Sequence, residues 1–247
     1  MMNCATPRSA VAIIAVIVGV ACNSAPGRPR TDSAVVPPDG IVTFSVLYRQ
    51  NCAGCHGLDG KGGAAIALAN PVFLAIADDT AIRRTAARGV PGTPMPAFAQ
   101  SAGGMLTDKQ IDALVRGIRT WAKPDTLRDT TPPPYTAEGP GDPQRGGDVY
   151  QTYCSSCHGA GGRGGRKASS IVEGSYLALV SDQQLRTIVI AGRPELGAQD
   201  WRSDVEGRPM SAQEITDVVA WLSSQRPRFS GQPYPVASTN PANGGSR

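Results

Sequence analysis

Apolar residues recur at helical spacing in two places. Ile111, Leu114, Val115, Ile118 and Trp121 form one stripe with charged residues between them, and Ile215, Val218, Val219 and Leu222 form another. Each stripe is preceded by a residue suited to starting a helix, Thr107 or Ser211, with Gln110 or Glu214 three positions on. That arrangement lets side chain and backbone satisfy each other's hydrogen bonds at a helix N-terminus. The pattern predicts two amphipathic helices whose apolar faces are core. Strand-like runs of Val, Ile, Thr and aromatics are almost absent, so the chain reads as all-α. Three Pro/Gly-rich stretches cut it, at 23–40, 124–143 and 226–247. Pro132–Pro134 in the second predicts an extended, semi-rigid spacer, and the third a loose tail.

Between the cuts the chain repeats itself. "VLYRQNCAGCHGLDGKGG" (46–63) aligns without a gap on "DVYQTYCSSCHGAGGRGG" (148–165), and "LTDKQIDALVRGI" (106–118) on "MSAQEITDVVAWL" (210–222). A period near 100 residues is too long for a solenoid and indicates a duplicated domain. The predicted organisation is a signal peptide at 1–21, a flexible tether at 22–40, a first domain at 41–124, a Pro-rich linker at 125–142, a second domain at 143–226 and a disordered tail at 227–247.

The duplicated cysteines carry the chemistry. Six cysteines are present, and four of them, Cys52, Cys55, Cys154 and Cys157, lie in two C-x-x-C-H motifs whose histidines, His56 and His158, are the only ones in the chain. This is the attachment signature of haem c: two thiols one helical turn apart bond one porphyrin, and the adjacent imidazole reaches its iron. Zinc would need a second pair of ligands within each repeat, and a thioredoxin-like site a βαβ context; neither is present. Cys4 and Cys22 remain. Arg8 followed by the twelve apolar residues Ala10–Ala21 reads as a secretory signal, too short to span a bilayer. Cys22 follows directly and resembles the lipidated cysteine of a bacterial lipobox, although Gly19 departs from that pattern. A soluble exported protein and an uncleaved anchor are the alternatives.

Both repeats resemble class I cytochrome c domains, over residues 41–124 and 143–226, in their leading aromatic helix, CxxCHG, Gly-rich loop and closing amphipathic helix. The resemblance implies two tandem all-α domains, each a few helices around one covalently bound haem c. It also implies a distal methionine before the last helix and a proline carbonyl behind the proximal histidine. In repeat 1, Met95 in "GTPMPAF" is the expected sixth ligand, Pro71 the candidate for that carbonyl, and Met105 a packing residue. Repeat 2 is less regular: Ala198 falls on Met95, and Met210 falls on Leu106. Three readings stay open there: ligation by Met210, an open position, or another group such as Lys167.

The formal net charge is +4. Residues 41–124 carry nine Lys/Arg against five Asp/Glu, residues 143–226 nine of each, and the segment between them is acidic. No basic run is dense enough to suggest nucleic acid. Arg163, Arg166 and Lys167 read as solvated loop charges. The expected function is electron transfer in the periplasm or at the outer face of a bacterial membrane, with a lipid anchor. The implied partners are a quinol–cytochrome c reductase, a terminal oxidase, a reaction centre or a dehydrogenase. An electron carrier is favoured over an enzyme. The alternative is that haem 2 lacks a strong axial ligand and binds or converts a small molecule such as peroxide, nitric oxide or a sulfur anion.

Overall fold

The computed structural model describes residues 36–202 and 205–227. The expected signal peptide, Cys4, Cys22, most of the tether and the tail beyond residue 227 lie outside them. Residues 36–40 belong to a separate unit, in which Pro38–Gly40 makes one 3-10 turn. The described part of the unit Ile41–Arg247 holds ten α-helices and no strands, as the apolar pattern predicts. No described helix is long and apolar enough to cross a membrane.

Repeat 1 contains α1 (Phe44–Asn51), α2 (Ala53–His56), α3 (Pro71–Ile76), α4 (Asp79–Arg88) and α5 (Asp108–Arg119). Its helix starts are set by side chains. Asn70 accepts from the Val72 and Phe73 amides, with Pro71 at the first position where no donor is needed. Asp78 caps α4, and Thr107 with Gln110 completes a capping box on α5. Repeat 2 follows the same order with α6 (Pro143–Tyr153), α7 (Ser155–His158), α8 (Gly174–Leu179), α9 (Asp182–Ala191) and α10 (Ala212–Ser224). Ser211 and Glu214 form the matching capping box on α10. The two stripes read from the sequence face the core: Ile111, Leu114, Val115 and Ile118 are buried in one repeat with Trp121 partly buried, and Ile215, Val218, Val219 and Leu222 are buried in the other.

The first and last helices of each repeat cross closely, and the two repeats achieve this in opposite ways. In repeat 1, Phe44 on α1 lies directly over Gly117 on α5, where a Cβ would enter the ring. In repeat 2 the roles are exchanged. Gly146 on α6 takes the place of Phe44, and Trp221 on α10 takes the place of Gly117. A Cβ on Gly146 would strike the Asp217 carbonyl oxygen and the Trp221 Cβ. Each crossing thus pairs one aromatic with one glycine, which lets two helix backbones approach without a void. The indole reaches the same place in both repeats: Trp121 sits against Gly60 and edge-on to Tyr48, and Trp221 sits near Gly162 and stacks on Tyr150 with centroids 4.4 Å apart.

The repeats share a core. Helix α3 packs against α9, and Val72, Phe73 and Leu74 join Ile190, Ala191, Trp201 and Met210 in one apolar cluster. At the seam the Asn70 amide donates to the Ala191 carbonyl at 2.9 Å, both buried, and the Arg193 guanidinium donates to the Gly63 carbonyl at 3.0 Å. The Pro-rich segment is strapped down rather than free-standing. Arg186, only 3% exposed, donates to the Pro134 carbonyl at 2.8 Å and to Thr216 Oγ1 at 3.0 Å, and Gln183 donates to the Tyr135 carbonyl at 2.8 Å. Burial lowers the Arg186 pKa from its usual value, and among the described residues no carboxylate hydrogen-bonds to it. The cation is held by carbonyl dipoles instead. Arg186→Met keeps the stem but leaves the Pro134 carbonyl without its donor. It is expected to cost about 1–3 kcal/mol and to speed trypsin cleavage after Arg128, read from a denaturation curve and a digestion time course. Unchanged digestion would show that the strap does not depend on Arg186.

Candidate haem sites

Each C-x-x-C-H motif is a short turn that continues the first helix of its repeat. The Cys52 amide still bonds to the Tyr48 carbonyl, and the His56 amide bonds to the Cys52 carbonyl; Cys154 and His158 do the same with Tyr150 and Cys154. The thiols of Cys52 and Cys55, and of Cys154 and Cys157, are therefore a helical turn apart. No disulfide joins any of the four, and Cys55 and Cys157 are exposed. Burial pushes the Cys52 thiol up to about 11. Glycines 57 and 159 then turn the chain with positive φ, and the tyrosines Tyr48 and Tyr150 donate their hydroxyls to the carbonyls of these glycines.

The loop that follows returns to the histidine. His56 Nδ1 lies 2.8 Å from the Ile66 carbonyl, and His158 Nδ1 lies 2.8 Å from the Ser169 carbonyl. A carbonyl can only accept, so Nδ1 carries the proton in both rings and Nε2 keeps the lone pair a metal ion requires. Burial lowers the pKa of His56, with the Arg193 guanidinium acting in the same direction, which keeps the ring neutral. The carbonyl behind His56 is thus that of Ile66, not that of Pro71, whose role is to begin α3. Two thiols a turn apart beside a neutral imidazole with its Nε2 unencumbered fit a covalently attached haem.

The segments before the last helices share two long-range backbone bonds. In repeat 1 the Val90 amide donates to the Met95 carbonyl at 3.0 Å and the Leu106 amide to the Phe98 carbonyl at 2.7 Å. In repeat 2 the Arg193 amide donates to the Ala198 carbonyl at 3.0 Å and the Met210 amide to the Trp201 carbonyl at 2.9 Å. Gly89 packs against Met95 and Pro96, and Gly192 against Ala198 and Gln199, each with positive φ. Ala198 therefore stands where Met95 stands, and Met210 where Leu106 stands. Met95 is half-buried in its loop, with its amide 3.2 Å from Thr93 Oγ1. Met210 is 2% exposed and belongs to the core. Met105, expected to pack, is 81% exposed, because Leu106 takes the core position one residue later.

A family model described as cytochrome c oxidase, cbb3-type, subunit III matches residues 43–116 and 141–222. The chain belongs to this family. Membership in both segments makes it a c-type cytochrome with two tandem domains, and implies a covalent haem c in each. Among relatives, this member of the cbb3-type subunit III family is 24% identical over 187 residues to the cytochrome bc1 complex cytochrome c subunit of Mycobacterium bovis, covering 74% of this chain and 62% of that one. It is 30% identical over 123 residues to the cbb3-type cytochrome c oxidase subunit CcoP of Azospirillum sp., covering 45% and 37% respectively. The chain thus spans less than two thirds of the length of either curated relative. Among solved structures, a chain of the Kuenenia stuttgartiensis reducing HAO-like protein complex aligns with a TM-score of 0.41 at 19% identity, covering 74% of this chain and 96% of that one.

The residues that sequence reasoning passes over are those acting through their backbones. Ile66 and Ser169 serve by their carbonyls. The signal for Arg193 is only its place beside the glycine that opens the loop of repeat 2.

Proposed function

We propose that this chain carries electrons between membrane-bound respiratory complexes, using two covalently held haems. Cys52, Cys55, His56 and Met95 would hold the first; Cys154, Cys157 and His158 would hold the second. The observation that carries this reading is the fixed imidazole, made twice: each motif histidine has Nδ1 bonded to a backbone carbonyl and Nε2 free. Haem supplies a one-electron couple whose potential follows its axial ligands and surroundings. The protein's own part is to fix those surroundings. The carbonyls of Ile66 and Ser169 orient the two rings and raise their basicity. The shared core of α3 and α9 joins the two repeats that would carry the haems.

The curated relatives are named as subunits of a cytochrome bc1 complex and a cbb3-type oxidase, which supports a quinol–cytochrome c reductase or a terminal oxidase as partner. Export and a lipid on Cys22 would hold the chain at the outer face of the membrane, where such complexes exchange electrons. The test is to purify the holo-chain, count its haem, and follow its reduction by quinol-fed membranes and its reoxidation by a cbb3-type oxidase. Two covalent haems per chain that both turn over are expected. One haem, or a chain that exchanges electrons with neither the reductase nor the oxidase, would reject the proposal.

A further inference from the structure

We propose that the second haem keeps an open sixth position, and that this position is a binding site for a small neutral diatomic molecule. The inference rests on the dihaem reading above, and on Met95 as the ligand of the first haem. Its basis is what repeat 2 places where repeat 1 places Met95. The matched hydrogen bonds of Val90 to Met95 and of Arg193 to Ala198 put an alanine there, and alanine has no donor atom.

The substitutes are each occupied elsewhere. Met210 is 2% exposed, its amide is tied to the Trp201 carbonyl, and the next residue is locked by the Ser211–Glu214 capping box. Its side chain fills the core seat that Leu106 fills in repeat 1, and drawing it out to the place that Met95 holds would empty that seat. Lys167 is exposed and stands two residues before Ser169, whose carbonyl lies on the Nδ1 side of the imidazole, away from Nε2. Both histidines are already assigned. Within the loop 193–201 the carboxylates are engaged: Glu195 pairs with Arg193, and Asp200 pairs with Arg202 at 2.7 Å.

The same pairings select the ligand. With Arg193 also bound to the Gly63 carbonyl and Arg202 held by Asp200, neither loop cation is left to draw an anion. A ferrous haem with one axial imidazole and an open position binds neutral diatomics such as carbon monoxide or nitric oxide, which need no charge to balance them.

The test uses the reduced holo-chain with carbon monoxide as the probe, the optical change being normalised to haem. Half of the haem is expected to respond. Ala198→Met, at an exposed loop position, is expected to abolish the response while haem content stays at two per chain. Met210→Leu, which installs the residue that repeat 1 uses, is expected to leave it unchanged. No response from the unmodified chain with both haems present would overturn the proposal. So would a response that appears only in Met210→Leu, which would make Met210 the ligand. A haem count of one would bring down the dihaem reading instead, and the proposal with it.

Discussion

Replacing Cys154 and Cys157 together by alanine is expected to halve the covalent haem, from two per chain to one. The mass of the denatured chain should fall by one haem beyond the two lost sulfur atoms. The thioether bonds are what keep the cofactor in a repeat of about 84 residues, a size at which a single apolar core is a thin margin of stability. Beside the core that it shares with repeat 1, repeat 2 has a small cluster of its own, with Leu177, Val180, Leu185, Val219 and Leu222 as its buried members. Loss of the haem should therefore lower the melting temperature of this repeat, because binding energy at such a site is also folding energy. The seam bonds Asn70 to Ala191 and Arg193 to Gly63 should pass part of that loss to repeat 1. The mirror variant, Cys52→Ala with Cys55→Ala, should leave one haem on repeat 2. Mass spectrometry of both denatured chains checks the pair, and retention of two haems by either would refute the assignment of its thiols.

The second large effect is expected at the helix crossing of repeat 2. Gly146→Ala drives a methyl group into the Asp217 carbonyl, a backbone atom that cannot rotate aside. Overpacking of this kind costs about 1–3 kcal/mol, and α6 must move off α10 to relieve it. The neighbouring Gly147→Ala is the control. Its Cβ would lie 3.5 Å from the Trp221 ring, an ordinary contact, so helix propensity alone should make it neutral or stabilising by up to about 1 kcal/mol. Thermal unfolding of the two variants side by side decides the matter: equal melting temperatures would mean that the crossing does not set the stability of the repeat.

Much of this molecule is legible in its residues alone. The doubled C-x-x-C-H, the capping boxes at Thr107 and Ser211 and the stripes from Ile111 and Ile215 are side-chain patterns, and each predicts its element. What escapes such a reading has a different physical form. The acceptors behind the histidines are the carbonyls of Ile66 and Ser169, and a carbonyl is the same in every residue. Arg186 looks like a surface charge until the Pro134 and Tyr135 carbonyls are seen to surround it. The faces of α3 and α9 look like parts of two private cores, since an apolar position does not say whose apolar position it meets. Met105 reads as a packing residue, yet a shift of one residue puts it in water and Leu106 in the core. The alignment of Ala198 with Met95 is visible in the repeat, but only the matching backbone bonds turn it from an alignment into a position.

The exchanged aromatics bear on how a duplicated chain avoids folding onto itself wrongly. Tandem repeats this similar can pair the first helix of one with the last helix of the other as they emerge. Here the two crossed pairings fail in opposite ways. Phe44 of α1 against Trp221 of α10 would drive the Trp221 Cβ into the phenyl ring, at the point where repeat 1 has only the bare Cα of Gly117. Gly146 of α6 against Gly117 of α5 would leave an empty seam between two bare backbones. One mispairing is too large and the other too small, so only the native partners fill the gap, and the duplicated halves sort themselves by volume.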